Sequence, residues 1–135
     1  MRIDSGCHCG AVTYEADIDP AQVVICHCID CQALSGSPFR VTVIASTDQM
    51  RLTGAAPRVY VKVGGNGRPR RQSVCPDCGA PLFTTGEGAD AMETGIRWGS
   101  IRQRSDLAPR FQIWCRSAAP WVGDIAALPG VPKDA

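Results

Sequence analysis

The sequence predicts a mainly β protein, and three observations support that prediction. Short segments alternate apolar and polar residues, 14 glycines and 10 prolines provide many turns, and no segment keeps an apolar repeat of 3.6 residues. Short alternating segments between turn residues are typical of small sheets. A chain of 135 residues has room for one core, so we expect a single domain over residues 1–135.

Local patterns place the individual elements. Strands are predicted where alternating or β-branched residues lie between turns, at residues 12–16, 39–45, 58–63, 68–74 and 110–116. The glycine-rich residues 64–67 predict a hairpin between the third and fourth strands. Residues 30–35 predict one short helical turn.

The end of the chain carries two further expectations. In the last predicted strand, Phe111, Ile113 and Cys115 share one face, which we expect to be buried. Residues 118–135 are rich in proline and are expected to form an extended tail. Trp121 is the residue expected to anchor that tail to the body.

The composition excludes several classes of function. An apolar fraction of 44%, a charged fraction of 20% and a net charge of +1 describe a soluble globular protein without a field that attracts nucleic acid. The chain has no apolar leader and no apolar run of about 18 residues. We therefore expect a cytoplasmic protein with no nucleic-acid and no membrane partner. Cytoplasmic thiols stay reduced, so the eight cysteines favour metal binding over disulfides.

Seven of the eight cysteines fall into three clusters, and the first and last clusters form a set of four. Cys7 and Cys9 are two residues apart, so on a strand both sulfurs would project from one face. Cys75 and Cys78 bracket a knuckle turn, which Gly79 lets the backbone complete. Four thiolates fill the shell of a tetrahedral zinc, so the sequence predicts a structural zinc here.

The middle cluster, Cys26, Cys28 and Cys31, supplies only three ligands. The fourth position is open to a water, an incoming thiol or a side chain, with three side chains as candidates: Cys115, His27 and His8. A protein ligand would make the site structural, whereas an exchangeable one would make it catalytic.

Two arguments bear on that fourth position. Cys115 suits a buried apolar site better than a ligand position, and His27 lies between two ligands and should point away from the metal, either beside the site or on the surface. Three thiolates form a soft, electron-rich site, which suits a substrate thiol better than a hydrolytic water. The cluster therefore indicates thiol chemistry on a second zinc.

The motifs resemble the glutathione-dependent formaldehyde-activating enzyme family, which includes relatives of centromere protein V. The resemblance lies in GCHCGAVTY, CHCIDC followed by GSPF, CPDCGAPL and SAAPW, at residues 6–14, 26–31, 36–39, 75–82 and 117–121. It implies an Mss4-like fold of small antiparallel sheets built around zinc, with a structural zinc on the outer clusters and a catalytic zinc on the triplet. It also implies carbon–sulfur lyase chemistry that joins glutathione to formaldehyde as S-(hydroxymethyl)glutathione.

The chain departs from the family pattern at three positions. Gln32 stands where a basic residue is common, Arg40 follows the Pro-Phe pair, and Gln112 stands where His is frequent. Glutathione carries two carboxylates and needs basic partners. The predicted substrate contacts are Arg40 and the hairpin arginines Arg68, Arg70 and Arg71.

Two other functions fit the same cysteines. In a non-catalytic, zinc-stabilised interaction module the second zinc would be capped, and the interaction surface would be formed by arginines 68, 70, 71, 102 and 104. In a redox switch the triplet would release zinc on oxidation. The metal content and the ligand set of the second site distinguish these functions from the enzyme.

Overall fold

The computed structural model describes residues 1–134. In this part of the chain there are ten β-strands and one α-helix, joined by turns and short 3-10 segments. The strands are β1 (Arg2–Gly6), β2 (Thr13–Asp17), β3 (Val23–Cys26), β4 (Arg40–Ser46), β5 (Met50–Leu52), β6 (Arg58–Val63), β7 (Pro69–Val74), β8 (Pro81–Thr85), β9 (Glu93–Arg97) and β10 (Phe111–Ile113). The helix is α1 (Ile29–Ser35), between β3 and β4.

The strands form two sheets. A three-stranded sheet has the order β1-β2-β5, and a seven-stranded sheet has the order β10-β3-β4-β9-β8-β7-β6. Every neighbouring pair is antiparallel except β10 with β3. The predicted mainly β class with antiparallel sheets is confirmed.

Alternation along the strands gives both sheets one shared core. β1 and β2 bury Ile3, Tyr14 and Ala16, which belong to the same apolar cluster as residues of the larger sheet. The Tyr14 ring meets Phe83 edge-on with 4.8 Å between ring centroids, and its hydroxyl shares a hydrogen bond of 2.6 Å with the Ser100 hydroxyl. Burial raises the pKa of Tyr14 to about 12. The phenol therefore contributes apolar area without leaving its oxygen unpaired.

Four of the five predicted strands match β2, β4, β6 and β7 to within about two residues, the usual uncertainty of element ends. The predicted hairpin joins β6 to β7, with register from Arg58 opposite Val74 to Val63 opposite Pro69. The predicted helical turn is α1. The patterns missed five strands of three to five residues, β1, β3, β5, β8 and β9.

The prediction for residues 110–116 is wrong in two respects. β10 ends at Ile113, and its Phe111 and Ile113 are 45% and 42% exposed, because β10 is the edge strand of the larger sheet. Trp114 then adopts φ 56°, a left-handed conformation that ends the strand. Cys115 consequently lies exposed in a 3-10 turn and is not a core residue.

The tail follows its prediction only in part. A 3-10 helix, Val122–Ala127, interrupts it, and Trp121 is 53% exposed and does not anchor the segment by burial. Residue 135, the end of the predicted tail, lies outside the described residues. Within the described chain, none of the helices has the length and apolar character needed to cross a membrane.

Candidate metal centres and an arginine-lined cavity

Four predicted ligands come together from distant parts of the chain. The Sγ atoms of Cys7, Cys9, Cys75 and Cys78 all lie within 4.8 Å of one another. The Sγ atom of Cys9 is 3.6 Å from that of Cys7 and 3.7 Å from that of Cys75. A tetrahedron with metal–sulfur bonds of about 2.3 Å has edges of about 3.8 Å. The closed cluster, as we call these four cysteines, therefore fits one tetrahedral metal ion.

Two glycine turns build the closed cluster. The first cysteine pair follows β1, which ends at Gly6, and the second pair follows β7. A glycine in the left-handed region comes directly after each pair, Gly10 at φ 84° and Gly79 at φ 75°. The expectation that the first pair lies on a strand is wrong, since a tight turn rather than strand alternation brings its sulfurs together.

Backbone donors surround the sulfurs of the closed cluster. The Val12 N–H donates to Cys7 Sγ at 3.3 Å, and the Cys78 N–H donates to Cys75 Sγ at 3.5 Å. Backbone hydrogen bonds, chiefly from Ala80, lower the pKa of the Cys78 thiol to about 6. These donors favour the thiolate at Cys78, the form in which cysteine binds metal. At Cys9 the backbone hydrogen bond from Ala11 acts in the same sense, but the contact with Cys7 and burial outweigh it and raise the pKa to about 12.

The open triplet, Cys26, Cys28 and Cys31, also converges, with its Sγ atoms within 4.8 Å of one another. Cys26 ends β3, Cys28 is the N-cap of α1, and the Cys31 N–H donates to Cys28 Sγ at 3.3 Å. Cys115 is not a member of this group. The described part of the chain thus brings three sulfurs together here and leaves one tetrahedral position for another ligand.

A contact between two sulfurs of the triplet shifts their pKa values in opposite directions. A hydrogen bond from the Cys31 thiol lowers the pKa of the Cys26 thiol, and the same contact raises the pKa of Cys31. This contact therefore favours ionisation of Cys26 before Cys31. The positive charge of Arg40 acts on Cys31 in the opposite sense and favours its thiolate.

His27 is buried, so the surface alternative for this residue is wrong. Its Nε2 lies 2.8 Å from Oε1 of Gln112, which accepts the hydrogen bond. The Gln32 side-chain amide donates to the backbone oxygens of His27 at 2.9 Å and Ser117 at 3.0 Å. The two glutamines, which the sequence marks only as departures from a pattern, hold residues 111–117 against the start of α1.

Two arginines are buried beside the triplet without an acidic partner. Arg40 in β4 donates to Gln72 Oε1 at 3.3 Å, and Arg97 in β9 donates to the same oxygen at 2.8 Å and to Thr42 Oγ1 at 2.9 Å. No Asp or Glu is buried anywhere in residues 1–134. Burial lowers the pKa of both guanidinium groups, that of Arg97 to about 9, so both remain charged at neutral pH. Sequence reasoning found Arg40 but missed Arg97 and Gln72, because nothing in the strand patterns signals a buried charge.

A cavity of about 680 Å³ lies beside the closed cluster, with Cys7 in its lining, and extends to Arg40 at the start of β4. No cysteine of the triplet lines it. No acidic side chain lines it, and its most prominent side chains are Phe39, Arg40, Arg97, Trp98, Arg102 and Arg104. Arg102 is at the exposed rim, paired with Asp4 at 2.9 Å, and Arg104 lies over the Trp98 ring at 5.8 Å. The cavity thus has a buried cationic floor and an exposed basic rim.

The predicted hairpin arginines do not line this cavity. Arg68 pairs with Asp90 at 3.4 Å, and Arg71 pairs with Glu87 at 3.7 Å. Arg70 lines a separate cavity of about 310 Å³ that also contains Asp90 and Glu93. Of the four arginines predicted as substrate contacts, the larger cavity contains Arg40 alone.

The fold and the two cysteine groups define a mainly β protein with one closed and one open thiolate site. A family model described as glutathione-dependent formaldehyde-activating enzyme matches residues 2–117, and the chain belongs to that family. A crystal structure of a Rhodobacter sphaeroides protein is similar in fold, with a TM-score of 0.62 and 20% identity over 83% of this chain and 99% of that chain. A search of curated proteins gives no match.

Proposed function

We propose that this chain is a zinc-dependent enzyme of the carbon–sulfur lyase type that adds a glutathione-like thiol to a small aldehyde. The reactive zinc is held by Cys26, Cys28 and Cys31, and a second, structural zinc is held by the closed cluster. The chain is one domain over residues 1–135 and works in the cytoplasm, where its thiols stay reduced.

One observation carries this proposal. The triplet gathers three sulfurs within 4.8 Å, and the eighth cysteine, Cys115, is not among them. A three-ligand zinc site keeps a position for an exchangeable ligand, which is the mark of a catalytic rather than a structural site. Family membership supports a thiol as that ligand and an aldehyde as the electrophile.

The residues around the triplet supply the rest of the chemistry. Zinc bound there acts as a Lewis acid that lowers the pKa of a ligating thiol. Arg40, buried beside the sulfurs, offsets part of the negative charge that a further thiolate brings. Gln32 and Gln112 tie residues 111–117 to the start of α1 and to His27, beside the triplet.

Calorimetry tests the thiol site. We expect zinc-loaded protein to bind glutathione with release of a proton, visible as a difference in heat between two buffers of different ionisation enthalpy. S-methylglutathione should bind much more weakly, since it cannot form a thiolate. Cys28→Ser should abolish proton-linked binding, whereas Cys115→Ser, the matched control, should retain it. Equal binding of both ligands, or loss of binding in Cys115→Ser, would refute the proposal.

A second candidate function is the zinc-stabilised interaction module. It is favoured by the exposed apolar side chains at and after the edge strand β10, namely Phe111, Ile113 and Trp114. In that case the protein should form no S-(hydroxymethyl)glutathione above the spontaneous rate, as followed by NMR.

A further inference from the structure

The floor of the large cavity contains two buried positive charges that no carboxylate pairs. Arg40 and Arg97 are both buried and both line the cavity, and neither takes part in an ion pair in residues 1–134. Taking a charge out of water is costly unless it is paired. The cysteines of the triplet stabilise the positive charge of Arg40. They also stabilise that of Arg97, but there the nearby positive charges of Arg40 and Arg70 act against them. The position beside Arg97 therefore favours an anion.

The donors on this floor are also mostly unused. Two guanidinium groups carry about ten N–H donors, arranged in forks that match a carboxylate. The described structure gives these groups three hydrogen bonds, all to the neutral side chains of Gln72 and Thr42. A planar anion can therefore add hydrogen bonds without displacing an internal partner.

The cavity is far larger than formaldehyde requires. Formaldehyde has two heavy atoms and no charge, whereas the cavity has a volume of about 680 Å³. Phe39 and Trp98 add aromatic side chains to its lining. The cavity therefore has room, and unused cationic donors, for an anionic group on the aldehyde as well as for part of the thiol.

We infer that Arg97, with Arg40 beside it, binds a carboxylate carried by the aldehyde substrate. The substrate class is small aldehydes with a carboxylate next to the carbonyl group, and glyoxylate is the simplest probe. The aldehyde part of this inference rests on the proposed function, whereas binding of the carboxylate does not.

The reaction balances without an oxidant or reductant. The thiolate sulfur forms a bond to the aldehyde carbon, and the carbonyl π electrons move to oxygen. The alkoxide then takes up one proton, which replaces the proton that the thiol released on ionisation. Thiol and glyoxylate together give the hemithioacetal acid, with the carboxylate unchanged and available to Arg97 throughout.

Calorimetry with glycolate, which has the carboxylate but no aldehyde, tests the anion site apart from catalysis. We expect glycolate to bind, its neutral amide glycolamide not to bind, and Arg97→Gln to weaken glycolate binding by about 10- to 100-fold. Arg97→Lys should recover part of the affinity. Gln72→Glu places a carboxylate between the two arginines and should also weaken binding. Arg102→Gln, at the rim, is the matched control with little effect. If neither Arg97→Gln nor Gln72→Glu changes the affinity for glycolate, the inference is wrong.

Turnover tests the substrate class. With the spontaneous rate subtracted, kcat/KM for glyoxylate should exceed that for neutral glycolaldehyde, and Arg97→Gln should lower this ratio by about 10- to 100-fold. No turnover with either aldehyde overturns the proposed function, while glycolate binding still decides the anion site. Turnover without preference for glyoxylate overturns the substrate class alone. A rise in the KM for glutathione with both aldehydes would assign Arg97 to a thiol carboxylate and overturn the inference.

Discussion

Replacing Gln72 by Leu should destabilise the fold more than any single neutral hydrogen bond explains. Gln72 is buried, its Oε1 accepts from Arg40 and Arg97, and its amide donates to Thr84 Oγ1 at 3.0 Å. Leucine is similar in size but offers no polar atom. The substitution therefore leaves two buried guanidinium donors without their partner, while the packing volume changes little.

The expected magnitude follows from the three bonds. Hydrogen bonds to charged groups contribute about 1.5–3 kcal/mol each and a neutral one about 1 kcal/mol. The sum for Gln72→Leu is about 4–7 kcal/mol, and the 3.3 Å contact with Arg40 favours the lower end. Domain stabilities are about 5–15 kcal/mol, so the variant should be close to unfolding.

Urea unfolding of the zinc-loaded protein, followed by tryptophan fluorescence, measures this loss. Thr84→Val, which removes the neutral bond, is the matched control with an expected loss of about 1 kcal/mol. Gln72→Glu should be more stable than Gln72→Leu, since it pairs the buried cations. A Gln72→Leu loss no larger than that of Thr84→Val would show that the arginines find other partners, and the account of the cavity floor would be wrong.

Two other predictions concern the metal sites and the core. Cys78→Ser should lower the melting temperature strongly, since it opens a site that ties β1 to β7. Cys28→Ser should remove one metal and melt at nearly the temperature of the wild type. Equal decreases in melting temperature in calorimetric scans would contradict this division of roles. The buried Tyr14 keeps its proton to a pKa of about 12, against about 10 when unfolded, so its contribution to stability is complete below pH 10 and is lost as the pH rises towards 12. Tyr14→Phe should flatten this part of the curve of unfolding free energy against pH, and an unchanged slope would exclude Tyr14 as its source.

The sequence predicted what depends on local pattern. The alternation in β2 and β6 and the glycine-rich turn after β6 reflect backbone preferences within a few residues, and these elements were found. Cysteine spacing likewise indicated the two close pairs and the triplet, whose sulfurs do converge, since a tight turn brings such close thiols together. The meeting of the two pairs, from distant parts of the chain, depends on the fold. Short strands such as β9, with four adjacent buried residues, show no alternation and were missed.

What depends on the tertiary fold could not be predicted in this way. Arg97 and Gln72 are 25 residues apart in the chain. They meet because their strands, β9 and β7, are both neighbours of β8 in the same sheet. The exposure of Cys115 follows from a left-handed Trp114, a conformation that no propensity of tryptophan suggests. The cavity, its charge and the burial of His27 result from strand order rather than from any single segment.

Residues 1–134 bury no carboxylate. The inferred anion site would therefore make the apparent stability of the protein depend on the anions in its solvent. An anion that occupies the cavity binds the folded chain and not the unfolded one, so by mass action it adds about 2.7 kcal/mol at a concentration 100 times its dissociation constant. Melting temperatures of this protein would then be comparable only between buffers with the same small anions. The melting temperature in a carboxylate buffer would be higher than in a zwitterionic buffer.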